Sequence, residues 1–169
     1  MSILVVARES GVSVATVSRV FNFPDKVSPD TRKRVQSAAR RLGYLPNASA
    51  RTLRTQKSRV LGVVLPTLLN PVFAECLQGL AQAALLRGYS ILPVTTEYQL
   101  PLEDRAVDML VARNVDGLVL VVSNPARSRA LRKLRAGRVP YVLAYNRHPD
   151  HPCVSVDGEE AVAAAVASW

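Results

Sequence analysis

The residues best suited to chemistry lie in one short stretch, GVSVATVSRVFN, from Gly11 to Asn22. Read as a helix, it has Ser13 as N-cap and Gly11 in the turn before it. At about 100° per residue, Val17, Val20 and Phe21 then share one face, and Ala15, Ser18 and Arg19 fall opposite, with Val14 at the edge. Ala15 and Arg19 stand at i and i+4 and stack along the outer side. Small residues in the first turn permit close approach to another surface, and the arginine reaches further with a planar fork of donors suited to guanine or phosphate. The window taken alone also reads as an ordinary helix of a small domain.

Elsewhere the chemistry is thin. His148, His151 and Cys153 form H-x-x-H-x-C beside two prolines, a spacing that reads as a turn because no fourth ligand accompanies it. The first strand-to-helix loop, VVLPTLLNPVF, has neither a dinucleotide nor a P-loop glycine pattern, and no G-x-S-x-G elbow occurs in the chain. No catalytic set, metal site or cofactor is therefore expected. A small-molecule site remains open at the carboxyl ends of the parallel strands described below.

The charge distribution favours a polyanionic partner. The 169-residue chain has a net charge of +9. Residues 1–59 hold twelve Lys/Arg against three Asp/Glu, and residues 60–169 hold ten of each. A basic block fused to a neutral one predicts a nucleic-acid-binding module joined to something else. A membrane surface is the rival partner, but no long apolar span or strong basic amphipathic helix supports it. The run Ile3–Ala7 is too short for a signal peptide, so a cytoplasmic protein is expected. Cys76 and Cys153, in apolar or strand-like settings, read as reduced core residues rather than a disulfide.

The elements that must hold these residues follow from the pattern. Ser2 is placed to cap a first helix running to about Ser10. After Pro24, Ser28 and Pro29 open a third helix that stops at Gly43, with Val35, Ala38, Ala39 and Leu42 inside. Residues 47–57, from Asn47, are too short for a stable lone helix and read as a linker that becomes helical against a partner. From Ser58 the pattern alternates: strands at RVLGVVLP, YSILPV, DGLVLVVS, VPYVLAY and PCVSVD, with helices at about 71–87, 102–113 and 125–136 and another starting at Gly158. Apolar strands between amphipathic helices predict a doubly wound parallel sheet. The pattern stops within the helical run AVAAAVASW, which reads as a chain cut in mid-domain.

VARESGVSVATVSRVFN, VSPDTRKRVQSAARRLGYLPNASARTLRT, LGVVLP with NPVFAECLQGL, and VDGLVLV, in this order and spacing, resemble the lactose/galactose repressor family of bacterial regulators. The resemblance implies an all-α helix-turn-helix headpiece (1–46), a hinge helix (47–57), and the first subdomain of an α/β core like the periplasmic sugar-binding proteins (58–169). It implies a sequence-specific transcriptional regulator, a repressor, reading a near-palindromic double-stranded DNA operator as a homodimer. Val14, Ala15 and Arg19 match the base-reading positions, and Ser13, Thr16, Ser18, Asn22, Ser28 and Thr31 match phosphate-touching ones. Ala50 and Leu53 match the hinge residues that enter the minor groove. Phe73, Ser123, Asn146 and Arg147 fall where the family's effector cleft takes a sugar or nucleobase. Family chains are about twice this length, so the resemblance implies an incomplete cleft, which would take an effector only in a complete chain, and a weakened dimer; a truncated, effector-insensitive product is the alternative. The small hydroxyl face then has a purpose: it enters a major groove about 12 Å wide. One departure stands out. The family usually has an acid in the first helix, in a pattern like D-V-A, where this chain has Val5-Val6-Ala7.

Overall fold

The structure is a computed structural model that describes residues 1–45, 52 and 56–155. The linker residues Asn47, Ala50 and Leu53 and the helix expected from Gly158 lie outside these. The chain divides into two compact units, Met1–Gln56 and Lys57–Trp169.

The first unit contains α1 (Ile3–Ser10), α2 (Val14–Asn22) and α3 (Pro29–Arg41), with a 3-10 turn at Pro24–Lys26. The side chain of Ser2 makes no cap bond; its carbonyl accepts from Val5 and Val6 N–H instead. Gly11 ends α1 at φ +63°, a conformation that any side chain would strain, and its N–H closes onto Ala7 and Arg8. The expected starts of α2 and α3 are present: Ser13 accepts from Thr16 N–H, and Ser28 accepts from Thr31 N–H with Pro29 behind it. Val6, Ala7, Val17, Val20, Val35, Ala38 and Ala39 form the core. Most are small, which lets short helices approach closely. Burying each valine contributes about 1.5–3 kcal/mol, and the exposed Arg41–Glu9 pair at 2.9 Å contributes about 1 kcal/mol at most. Val6 and Ala7 face this core while Val5, at the position where the family's acid is expected, is exposed.

The second unit is a parallel sheet in the order β2-β1-β3-β4-β5. Its elements are β1 (Val60–Leu65), α4 (Pro71–Leu86), β2 (Ser90–Thr95), α5 (Leu100–Ala112), β3 (Gly117–Leu120), a 3-10 turn (Pro125–Arg127), α6 (Arg129–Ala136), β4 (Tyr141–Ala144) and β5 (Cys153–Val154). Alternation along β1 sends Val64 to one face, with α5 and α6, and Val63 and Leu65 to the other, with Phe73, Leu77 and Leu80 of α4. Gly62 sits under α5; a Cβ there would lie 2.5 Å from Leu118 and 2.9 Å from Leu110. At the two ends of β2, Ser90 N–H donates to Arg59 O and Thr96 N–H to Leu65 O, on the side of β1. The same alternation turns the nitrogen of Pro93 to the outer edge, where it costs no ladder hydrogen bond.

Three sequence expectations change in detail. The helix expected over 125–136 divides, because the buried Ser128 caps a new start by accepting from Leu131 N–H. The helix expected from about Leu102 begins at Leu100. Cys76 and Cys153 are free thiols, but Cys153 is exposed on a two-residue edge strand instead of lying in the core.

Candidate nucleic-acid interface

The outer face of α2 is built by its own cap and its own core face. Val17 and Val20 are buried, which fixes the rotation of the helix and leaves Val14, Ala15 and Arg19 exposed. Ala15, Ser18 and Arg19 line an open hollow of about 570 Å³. Phe23 and Lys26 complete it, with the Lys26 ammonium 5.6 Å from the Phe23 ring centre. Sequence reasoning did not single out this pair. The available signal was an aromatic next to a proline, immediately after the helix.

The hydroxyl residues are organised in matching pairs. Ser13 and Thr16 hydroxyls lie 2.9 Å apart at the start of α2, and Ser28 Oγ donates to Thr31 Oγ1 at 2.9 Å at the start of α3. Asn22 Nδ2 donates to Ser18 O at 2.6 Å and to Ser18 Oγ at 3.2 Å. The helix N-terminus offers unpaired N–H groups and a partial positive charge, so each Ser-x-x-Thr start is suited to an anion such as phosphate.

The residues assigned to a cleft in the second unit are arranged differently. Ser123 donates from both N–H (2.8 Å) and Oγ (2.6 Å) to Glu103 Oε1. Glu103 is fully buried, and its Oε2 has no hydrogen-bond partner among the described residues. Asn146 Oδ1 accepts from Val122 N–H at 3.1 Å, and Arg147 Nε donates to Ser155 Oγ at 2.7 Å. Phe73 meets Tyr145 edge-on, ring centres 5.7 Å apart. Tyr145 holds φ +67°, rare for a non-glycine residue, and its hydroxyl donates to Val72 O at 3.3 Å. Phe73, Ser123, Tyr145, Asn146 and Arg147 follow the carboxyl ends of β1, β3 and β4, but Ser123 spends its N–H and Oγ on Glu103 of α5, and Asn146 its Oδ1 on Val122 N–H. The His148 and His151 rings meet tilted at 55°, centres 4.8 Å apart, and His151 Nδ1 is hydrogen-bonded to Tyr141 Oη at 2.6 Å. No group of three metal-binding side chains occurs among the described residues.

Two family models match the chain. "Bacterial regulatory proteins, lacI family" covers residues 2–47, and "Periplasmic binding proteins and sugar binding domain of LacI family" covers residues 58–166. The chain belongs to the LacI family. Its LacI-family relatives include the transcriptional regulator RegA of Clostridium acetobutylicum, 35% identical over 98% of this chain and 50% of RegA. The repressor CytR of Escherichia coli is 34% identical over 95% of this chain and 48% of CytR. Among solved structures, the lac repressor dimer bound to operator and the anti-inducer ONPF matches with a TM-score of 0.83 at 26% identity, over 99% of this chain and 52% of that one. A LacI-family regulator from Silicibacter pomeroyi matches at 0.78 and 31% identity, again over 99% and 52%. The chain thus spans about half the length of the curated relatives it matches.

Proposed function

We propose that this LacI-family chain is the operator-reading part of a transcriptional regulator, a repressor that binds a near-palindromic double-stranded DNA as a homodimer. The observation that carries the reading is the exposed, small-residue face of α2, with Arg19 over an open hollow and hydroxyl-capped helix starts beside it. Val14 and Ala15 meet thymine methyls or sugar edges, and Arg19 reaches guanine. Ser13, Thr16, Ser18, Asn22, Ser28 and Thr31 hold phosphates, which position the helix without reading sequence. Ala50 and Leu53 enter the minor groove, where the leucine wedges between base steps. Selection of bound sequences from a random duplex pool tests this. An enriched two-fold-symmetric site, with Arg19→Ala relaxing the choice at one base per half-site, is the expected result. Equal retention of all sequences by the unaltered chain would overturn it.

The second reading concerns the carboxyl ends of the strands. The strained Tyr145 against Phe73 favours a small-molecule effector there, a sugar or nucleobase stacked on Phe73 with Ser123, Asn146 and Arg147 nearby. Calorimetry of this chain joined to the family's second subdomain, against a panel of both classes, tests it; heat that disappears in Phe73→Ala is the expected result, and no heat from any member of the panel rejects it.

A further inference from the structure

The two ends of the parallel sheet carry different charge. At the amino ends of the strands, the loops 57–59, 87–89, 113–116 and 137–140 hold five cations and one acid. At the carboxyl ends, Arg127 and Arg147 are matched by Glu97 and the buried Glu103. The single acid of these four loops, Asp116, accepts from Ser58 N–H (2.7 Å), Ser58 Oγ (2.9 Å) and Arg59 N–H (3.1 Å), and Asp150, just before β5, is matched by Arg135 at 3.6 Å. Burial pushes the Asp116 carboxyl up, but the bonds from Ser58 and Arg59 and one from Tyr89 outweigh that and hold it below the usual 3.8.

Four arginines remain, one leading into each of four neighbouring strands: Arg87 before β2, Arg59 before β1, Arg113 before β3 and Arg138 before β4. All four are exposed, and none is in an ion pair among the described residues. Arg59 stacks on Tyr89 at 5.1 Å. A cation at a helix C-terminus is favoured by the helix dipole, which suits Arg87 and Arg113. The dipole does not account for Arg59, nor for the absence of an acid paired with any of the four among the described residues.

The chain enters this unit at Lys57, three residues before β1, so the cationic end is the one joined through the linker to the unit with the α2 face. A short tether raises the effective concentration of a second contact once the first has formed. Resting on the DNA-binding reading above, we propose that Arg87, Arg113 and Arg138, with Arg59, form a second and sequence-independent contact to the phosphates of the same duplex.

The test uses the full 169-residue chain and a fluorescein-labelled random-sequence DNA duplex, with anisotropy followed across KCl concentration. Arg87→Gln/Arg113→Gln/Arg138→Gln is compared with Arg127→Gln/Arg129→Gln/Arg132→Gln, which removes equal charge elsewhere on the unit. The slope of log K against log salt is expected to fall by about 0.9 for each lost contact in the first variant and to stay unchanged in the second. Melting temperatures separate a purely structural role, which would move stability and leave the slope alone. Equal slopes for both variants and the parent overturn the proposal while leaving the DNA-binding reading intact. If the parent binds no duplex, both fall. An unchanged duplex slope with lost binding to polyglutamate would assign the arginines to an acidic protein instead and also overturn it.

Discussion

Ser13, Thr16, Ser28 and Thr31 in the first unit and Ser123 and Asn146 in the second are the same kind of side chain: small, polar and at the end of a regular element. Their situations are opposite. Ser13 and Ser28 cap the starts of α2 and α3 by accepting from Thr16 and Thr31 N–H, and each serine hydroxyl meets its threonine's hydroxyl at the surface. The last two turn their polar groups inward, Ser123 to the buried Glu103 and Asn146 to the Val122 N–H. A small polar residue at an element's end is thus a poor indicator of function by itself; what it touches decides. The α2 face keeps its polar groups at the surface, whereas Ser123 and Asn146 tie the carboxyl ends of β3 and β4 to α5 and to each other.

This contrast can be broken from either side. Removing the inward bonds should cost most. Glu103→Ala leaves Ser123 N–H without its acceptor and opens a cavity in a buried site, a loss on the order of 3 kcal/mol in chemical denaturation. Adding Ser123→Ala to it should then cost little more; full additivity would show that Glu103 acts elsewhere. Removing an outward group should spare stability instead. Arg19→Ala should keep the melting temperature and lose about 1–3 kcal/mol of discrimination at one base pair. A uniform loss over all sequences would make Arg19 a phosphate contact.

The capping serines sharpen the comparison, because they have two jobs. Ser13→Ala should cost about 1 kcal/mol of stability through the lost cap. Ser13→Asp restores the cap but sets a negative charge toward phosphate, so it should recover the melting temperature and not the DNA affinity. Recovery of both would mean that no phosphate approaches α2. The smallest effect is expected at His151, beside Tyr141, His148, Asp150 and Arg135. Burial, then the charges of His148 and Arg135, hold its imidazole below the ordinary 6.5, with Asp150 opposing. The unfolded chain therefore takes the proton first: the stability is whole above about pH 6.5 and is lost as pH falls toward the folded value. His151→Gln should flatten the melting temperature between about pH 7.5 and pH 5; an unchanged profile would place the pH dependence elsewhere.

The residues that were legible in the sequence are those whose cause is local. The starts of α2 and α3 depend on a serine and the N–H three residues on, and the Val17–Val20 stripe fixes which side of α2 faces out. The strand-helix alternation also announces a parallel sheet. What escaped depends on partners distant in the chain: Glu103 meets Ser123 twenty residues on, and Asp116 meets Ser58 fifty-eight residues back. Glu103 did leave a trace, since it occupies the apolar stripe with Ala106, Val107 and Leu110, where a carboxylate needs an internal donor. The Phe23–Lys26 wall of the hollow escaped because it lies beyond the end of α2, outside the helical period that marks the exposed face.

Pro93 has a consequence for how the protein behaves in concentrated solution. A row of free N–H and C=O groups along an outer strand is a template on which a foreign strand can assemble, and sheets that grow this way end as aggregates. The missing donor of Pro93 falls midway along the outer side of β2, where an incoming strand would need it. Replacing it with valine would improve the strand by every local measure and, in the same step, complete a sticky edge.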